Sequence, residues 1–414
     1  MLAPLPPLLA YRLDRARSTD AADLSSRDAT DQSSVASTSG VKPDDEVRWV
    51  RTAVTLERAV RSRGSVRETS LRQFLDDEGI HTLPEVGVPY PFIEKVARNE
   101  ASQMEEWAFL RLAYTTLSAL SAILPDAMIL ERGRVLAQRA RVAYKLGATV
   151  AARVYYEEVE ALAAAGSLPE LKGRALIGFG VLAEFAGNFP ASRSLFTQVL
   201  ALEGAAADSV SMAHHGLMVA AAEAADFDRA IQHAWSAYSG AETDSQQSDM
   251  LVDLAQLLLL VGQPAAALCG FASALARQLS PRAALPALGG VALAAVGARE
   301  TESARAVVRL VAAQTEALIA SLGGGTSPAM PYHSASALTE VSEALSAVDE
   351  TIWSRRSAAH AAQIAACHRF HRISHRLENP PMLPEKSAAP TRVQMEIAQR
   401  VEALEGAELI GAAG

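Results

Sequence analysis

LVDLAQLLLLVGQPAAALCGFASAL, residues 251–275, is the stretch that decides how the chain folds. Two apolar segments of helical length flank Gly262-Gln263-Pro264, and glycine and proline there end one helix and let the next begin. The first segment, Leu251 to Leu260, is too short to cross a bilayer. The same organisation recurs upstream. LIGFGVLAEFAGNFPASRSLFTQVLAL begins at Leu176 and turns at Gly187, and HHGLMVAAAEAADFDRAIQHAWSAY begins at His214 and turns at Ala225. A weaker copy, LAQRARVAYKLGATVAARVYYEEVEAL, begins at Leu136 and turns at Gly147. Successive turns are 40, 38 and 37 positions apart, and a poorer fifth turn falls at Gly297, 35 further on.

Composition agrees with an all-α chain. Half of the 414 residues are hydrophobic but only 5% are aromatic. The apolar mass is Ala, Leu and Val, and Ala and Leu are strong helix formers. The formal net charge of -9 argues against a general nucleic-acid binder or a binder of anionic membranes. Cys269 and Cys367 make no disulfide framework, which suits a reducing, cytoplasmic setting. Lysine is confined to Lys42, Lys95, Lys145, Lys172 and Lys386, a usage we associate with GC-rich, bacterial coding. The opening MLAPLPPLLAYR has no basic residue before its apolar run and is interrupted by prolines, which does not fit a secretory leader. The chain reads as soluble.

Five regions follow. Residues 1–46, rich in Ser, Thr, Asp and Ala between Ser18 and Asp45, are expected to be disordered. Residues 47–129 form an N-terminal helical region. It starts with the amphipathic stretch VRWVRTAVTLERAV, continues with a short helix capped by Thr69 or Ser70, and ends with a longer helix, continuous or broken, from about Phe92 to Ile123. Between these helices, Gly79 to Pro91 reads as irregular, because Pro84, Pro89 and Pro91 oppose a helix interior. Residues 130–322 carry the repeats. Residues 323–377 form a C-terminal helical region with a basic, His-rich helix. Residues 378–414 are a linker and a terminal helix with apolar Val393, Ile397, Val401 and Leu404, suited to docking on the last helix pair or on a partner.

The repeated segments resemble the tetratricopeptide repeat family, which pairs two helices in about 34 residues. Ala140, Gly180 and Ala255 stand at the small crossing positions of first helices. Tyr156, Phe196 and Phe271 stand at the aromatic position after the turn. The closest copy has Leu254, Ala255, Leu258, Gly262, Ala267, Phe271 and Ala274. The period here is longer than the family norm, Met218 and Ala234 replace the expected small and aromatic residues in the third copy, and the copy at Gly297 is degenerate. The resemblance implies a right-handed superhelix of antiparallel helix pairs, a tetratricopeptide-like α-solenoid. It also implies a concave face lined by first helices. Inward positions carried over by phase are Arg134, Arg141, Tyr144 and Lys145, then Arg174, Glu184 and Phe185. Met212, His215 and Glu223 follow, then Asp249, Gln256 and Leu259. That groove would be basic at its N-terminal end and mildly acidic at the other, orienting a peptide or helix with its acidic end near Arg141. The family's carboxylate clamp is not reproduced, since Ala137 and Ile177 occupy positions where polar residues are expected.

Other patterns carry less. Gly178-Phe179-Gly180-Val181-Leu182-Ala183 matches a dinucleotide fingerprint, but it lies inside a helix with no strand before it. In HAAQIAACHRFHRISHR, from His360, a continuous helix would align Cys367, His371 and His375, with His368 nearby, at a spacing that zinc or copper can use. Arg355, Arg356, Arg369, Arg372 and Arg376, with no acidic residue between Ser354 and Arg376, oppose a divalent cation. They read more simply as a basic amphipathic helix that an acidic partner could contact. Gly323-Gly324-Gly325-Thr326-Ser327-Pro328 lacks the lysine of a phosphate loop. No nucleophile elbow or Ser/His/Asp grouping is present. The expectation is therefore a non-enzymatic adaptor or scaffold that binds a protein or peptide without cofactor, metal, nucleic acid or membrane. An alternative is a bacterial regulatory or sensory protein that holds a small ligand or signal peptide, and a metal-binding protein built on the His-rich helix is the third reading.

Overall fold

The computed structural model describes residues 43–78, 88–277, 279, 281–299, 301–323, 325–326, 328, 330–379 and 389–404. Among these residues there are eighteen α-helices and no strand. None of the helices is long and apolar enough to cross a membrane. The expected disorder of residues 1–46 falls mostly outside the described residues, and residues 43–46 are already helical. The chain divides into two compact units within the first turn of one helix, after Ser209.

The N-terminal unit begins with α1 (Pro43–Arg61) and α2 (Ser65–Asp77). Thr69 and Ser70 do not cap a helix. The helix starts at Ser65, after the left-handed Gly64, and both hydroxyls donate to carbonyls four residues back inside it. The expected long helix after residue 90 is broken into α3 (Tyr90–Glu106) and α4 (Leu110–Ile123), with Ala108 in the left-handed region at φ 65°. Pro91 sits in the first turn of α3, where its missing N–H costs nothing. Trp49, Leu56, Phe74, Ile93, Met104, Leu117 and Leu120 close a shared core beneath these helices. Two hairpins follow: α5 (Ile129–Lys145) with α6 (Thr149–Gly166), and α7 (Pro169–Phe185) with α8 (Phe189–Leu200).

The C-terminal unit continues in hairpins. These are α9 (Ala207–Glu223) with α10 (Phe227–Gly240), α11 (Asp244–Leu260) with α12 (Pro264–Leu275), α13 (Pro281–Ala298) with α14 (Thr301–Ser321), and α15 (Pro331–Ala347) with α16 (Thr351–His368). The short α17 (His371–Glu378) and the terminal α18 (Arg392–Glu402) complete it. The α15–α16 hairpin is extensive among the described residues, although the periodic turns in the sequence stop before it.

One local device closes these helices. At residues 108, 147, 167, 187, 225, 262, 349 and 369 the backbone turns left-handed, with φ between 49° and 87°. The next residue's N–H then donates to the carbonyl five residues earlier at 2.7–2.9 Å. This is the paired bonding that satisfies the last carbonyls of a helix. That next residue also serves as N-cap of the following helix, as at Asn188 and Asp226, whose side chains accept from Ala191 and Arg229 N–H. Glycine occupies the left-handed position at 147, 187 and 262, but Ala108, Ser167, Ala225, Asp349 and Arg369 adopt it too. Gly297 does not. It belongs to the last turn of α13, packed against Pro264, and the break before α14 falls just after it, between Ala298 and Thr301.

First helices of successive hairpins touch: α3 with α5 and α5 with α7 in one unit, α11 with α13 and α13 with α15 in the other. Among the described residues the second helices of successive hairpins approach less closely, although Tyr114 of α4 bonds Tyr155 of α6 at 2.8 Å and His360 of α16 meets Glu316 of α14 at 3.2 Å. Small residues permit the approach of helices. Gly178 receives the Tyr156 ring, Gly180 the Phe196 ring and Gly290 the Phe271 ring, and a methyl group at any of the three would collide with the aromatic. The dinucleotide-like glycines are thus seats for aromatic side chains inside α7.

Candidate functional site

In the N-terminal unit the contacting first helices α3, α5 and α7 carry one linked set of charges. The apolar face of α3 buries Ile93, Ala97, Ala101 and Met104, and the flanking Glu94, Glu100 and Glu105 are buried with it. Burial alone would raise the Glu105 carboxyl. Arg141 and Lys145 reverse that effect and hold it at about 2. Arg141 binds both carboxylate oxygens, Nε at 3.1 Å and Nη2 at 2.9 Å, while Lys145 Nζ lies 2.7 Å away. Gln138 donates to the same carboxylate at 3.3 Å. A bidentate guanidinium and an ammonium on one buried carboxylate form a strong charge-assisted cluster.

One helical turn and more along α5, Arg134 grips Glu170 of α7 through two 2.7 Å bonds. Arg174 donates to Glu170 at 3.2 Å and pairs with Asp208 at 2.9 Å. The two arginines, led by Arg134, hold Glu170 below the usual carboxylate range. Arg98 pairs with Glu94 on α3. The result is a polar strip on consecutive first helices in which acids and bases nearly balance.

The residues expected to line a groove are distributed as follows. Arg134, Arg141, Lys145 and Arg174 are brought together in this strip, each held by a carboxylate of a neighbouring helix. Arg141 still exposes half of its side chain. Tyr144 is buried edge-on against Phe185 of α7, ring centroids 5.4 Å apart. Glu184 is buried as well. His215 is buried and meets Asp253 of α11 at 2.9 Å, so it ties two first helices together. Its neighbour His214 is half-buried against His233 of α10, Nδ1 to Nδ1 3.1 Å, and burial lowers the pKa of both. Met212, Glu223, Asp249, Gln256 and Leu259 are half-buried on α9 and α11.

Glu105, Glu170 and Asp253 were not singled out in the sequence. The signal available for Glu105 was its place, eleven residues after Glu94 and so on the same helical face, beside an apolar stripe. Arg139 was also missed. Its guanidinium stacks over Tyr155 at 4.3 Å and Tyr114 at 5.1 Å, whose hydroxyls share a 2.8 Å hydrogen bond.

The His-rich segment is not one helix. α16 ends at His368, Arg369 turns left-handed and α17 restarts at His371. Cys367 therefore does not share a continuous helical face with His371 and His375. Among the described residues no group of three His, Cys, Asp or Glu side chains is arranged to hold a metal ion. His360, at the start of this segment, is occupied with Glu316 and the Gly325 carbonyl. Arg376 is held bidentate by Glu343. Arg355 and Arg356 remain exposed near Ile352 and Trp353, Arg356 over the Trp353 ring, and Arg369 is exposed at the far end of α16.

No protein-family model matches the chain, and no curated protein matches it.

Proposed function

We propose that this protein is a non-enzymatic interaction scaffold that binds a protein or peptide along the first-helix faces of tetratricopeptide-like hairpins. The observation that carries this reading is the asymmetry of contact. First helices of successive hairpins pack side by side, whereas second helices meet through side-chain pairs such as Tyr114–Tyr155 and Glu316–His360; the first-helix side chains thus form a continuous row within each unit. In helical-repeat architectures that row is the usual binding surface. Its polar side chains are held in place by ion pairs rather than left mobile, which lowers the ordering cost of binding. A depression lined by Glu57, Val60, Arg61, Tyr114, Thr115, Ser118, Ala119 and Ala122 has a volume of about 360 Å³ and opens widely to solvent, unlike the mostly enclosed sites that hold small molecules.

Site-specific photo-crosslinking in the native host tests the reading. A photoreactive residue at Met212 or Gln256, on first helices, is expected to capture one common partner, and one at the exposed Val150 of the second helix α6 is not. Equal capture from Val150, or none from Met212 and Gln256, would refute the first-helix surface. Charge reversal at Arg141 and Lys145 is a poor probe, because it strands buried Glu105.

A further inference from the structure

The terminal helix α18 does not dock on the last hairpin. It lies across α10 and α12, second helices of the two hairpins that open the C-terminal unit. Ile397, Ala398 and Val401 are buried there. Val401 occupies the space that a side chain at Gly270 would need, its Cγ1 3.2 Å from that Cβ position. Both ends of the helix are read by polar chemistry. At the N-terminus, Asp228 of α10 accepts from Thr391 Oγ1 at 2.9 Å and from Gln394 Nε2 at 2.8 Å. An acidic group there also suits the helix dipole. At the other end, Arg400 stands 5.7 Å from the Trp235 ring centroid.

α18 has the features of a bound ligand helix. It carries its own capping box between Thr391 and Gln394. It has eleven residues, a length at which an isolated helix is marginal in water, so docking supplies much of its order. α18 belongs to the same chain as its docking face, so even a weak contact acts at high local concentration.

We propose that the α10–α12 face is a helix-binding surface with α18 as its built-in occupant, and that it accepts an amphipathic partner helix in place of α18. The partner helix has a hydroxyl and an amide in its first turn over Asp228, buried apolar residues at i, i+1 and i+4 with the last of them over Gly270, and a cation in its last turn on Trp235. This surface is formed by second helices, so the proposal stands apart from the first-helix reading.

The probe is a labelled synthetic peptide of residues 389–404, titrated into the full-length chain by fluorescence anisotropy. The full-length variant Ile397→Glu/Val401→Glu frees the surface and is expected to bind the peptide at least tenfold more tightly than wild type. The peptide carrying the same two substitutions is expected to bind neither chain. Equal binding by variant and wild type, or none by the variant, overturns the proposal. Loss of cooperative melting in the variant also overturns it, since α18 would then be integral to the fold. A concentration-dependent dimer of wild type, broken by the double substitution, would assign the surface to α18 of a second copy and overturn the partner reading.

Discussion

Replacing Glu105 by Gln tests whether the first-helix strip is held by charge. The Glu105 carboxyl lies at about 2 in the fold against an ordinary value of 4.5. At ~1.4 kcal/mol per pH unit, this gap corresponds to about 3 kcal/mol at neutral pH. Arg141 exposes half of its side chain, so solvent screens the larger of the two attractions. A loss of about 2 kcal/mol is therefore expected for Glu105→Gln at pH 7. The lowered value sets the direction. The stabilisation is complete above pH 4.5 and is lost as pH falls toward 2, so the gap between wild type and variant narrows to about half by pH 3. Urea unfolding followed by tryptophan fluorescence, in a Trp235→Phe/Trp353→Phe background, would report the unit that contains Trp49 and Trp107. A difference that is the same at pH 7 and pH 3 would refute the charge argument and assign the loss to altered packing.

The left-handed turns predict opposite effects from one chemical change. Ala225→Gly relieves a strained φ of 57° and is expected to add about 0.5–1 kcal/mol, while Gly262→Ala costs about 1 kcal/mol, both read from melting temperatures. Gly290→Ala drives a methyl into the Phe271 ring and is expected to cost about 1–3 kcal/mol. Adding Phe271→Leu should recover part of that loss, and no recovery would show that the ring is not the obstacle. Glu340 of α15 is buried, which outweighs the pull of Arg376 and raises its carboxyl to about 7. Its ionisation therefore lowers stability as pH rises from 4.5 through 7. Glu340→Gln should raise the melting temperature at pH 8 and leave it unchanged at pH 4.5, and a pH-independent effect would contradict the assignment.

Helices were legible in the sequence because their causes are local. Apolar residues recur at helical spacing, Ala and Leu favour the conformation, and Gly147, Gly187 and Gly262 mark the left-handed positions at which helices end. The same reasoning missed the hairpin of α15 and α16, because its left-handed residue is Asp349, and it carried one helix through Arg369 for the same reason. Gly297 stands one residue inside the end of its helix, where it serves the close approach of Pro264 rather than a left-handed turn.

Side-chain commitments were less legible because their causes are distant. The basic character assigned to Arg141 and Lys145 is spent on Glu105, a carboxylate 36 and 40 residues earlier that the folding of α3 against α5 brings within 3.1 Å. His215 becomes buried because Asp253 arrives from the next first helix. The amphipathic pattern of α18 was visible as a face in need of cover, but no local feature of residues 391–404 names Asp228 or Gly270 as its contacts. Sequence alone determined that the backbone is helical and where it turns at Gly147, Gly187, Ala225 and Gly262, since each choice depends on residues within a few positions. Tertiary structure decided which charges are neutralised and which apolar stripe meets which groove, since Coulomb attraction and burial act on neighbours in space.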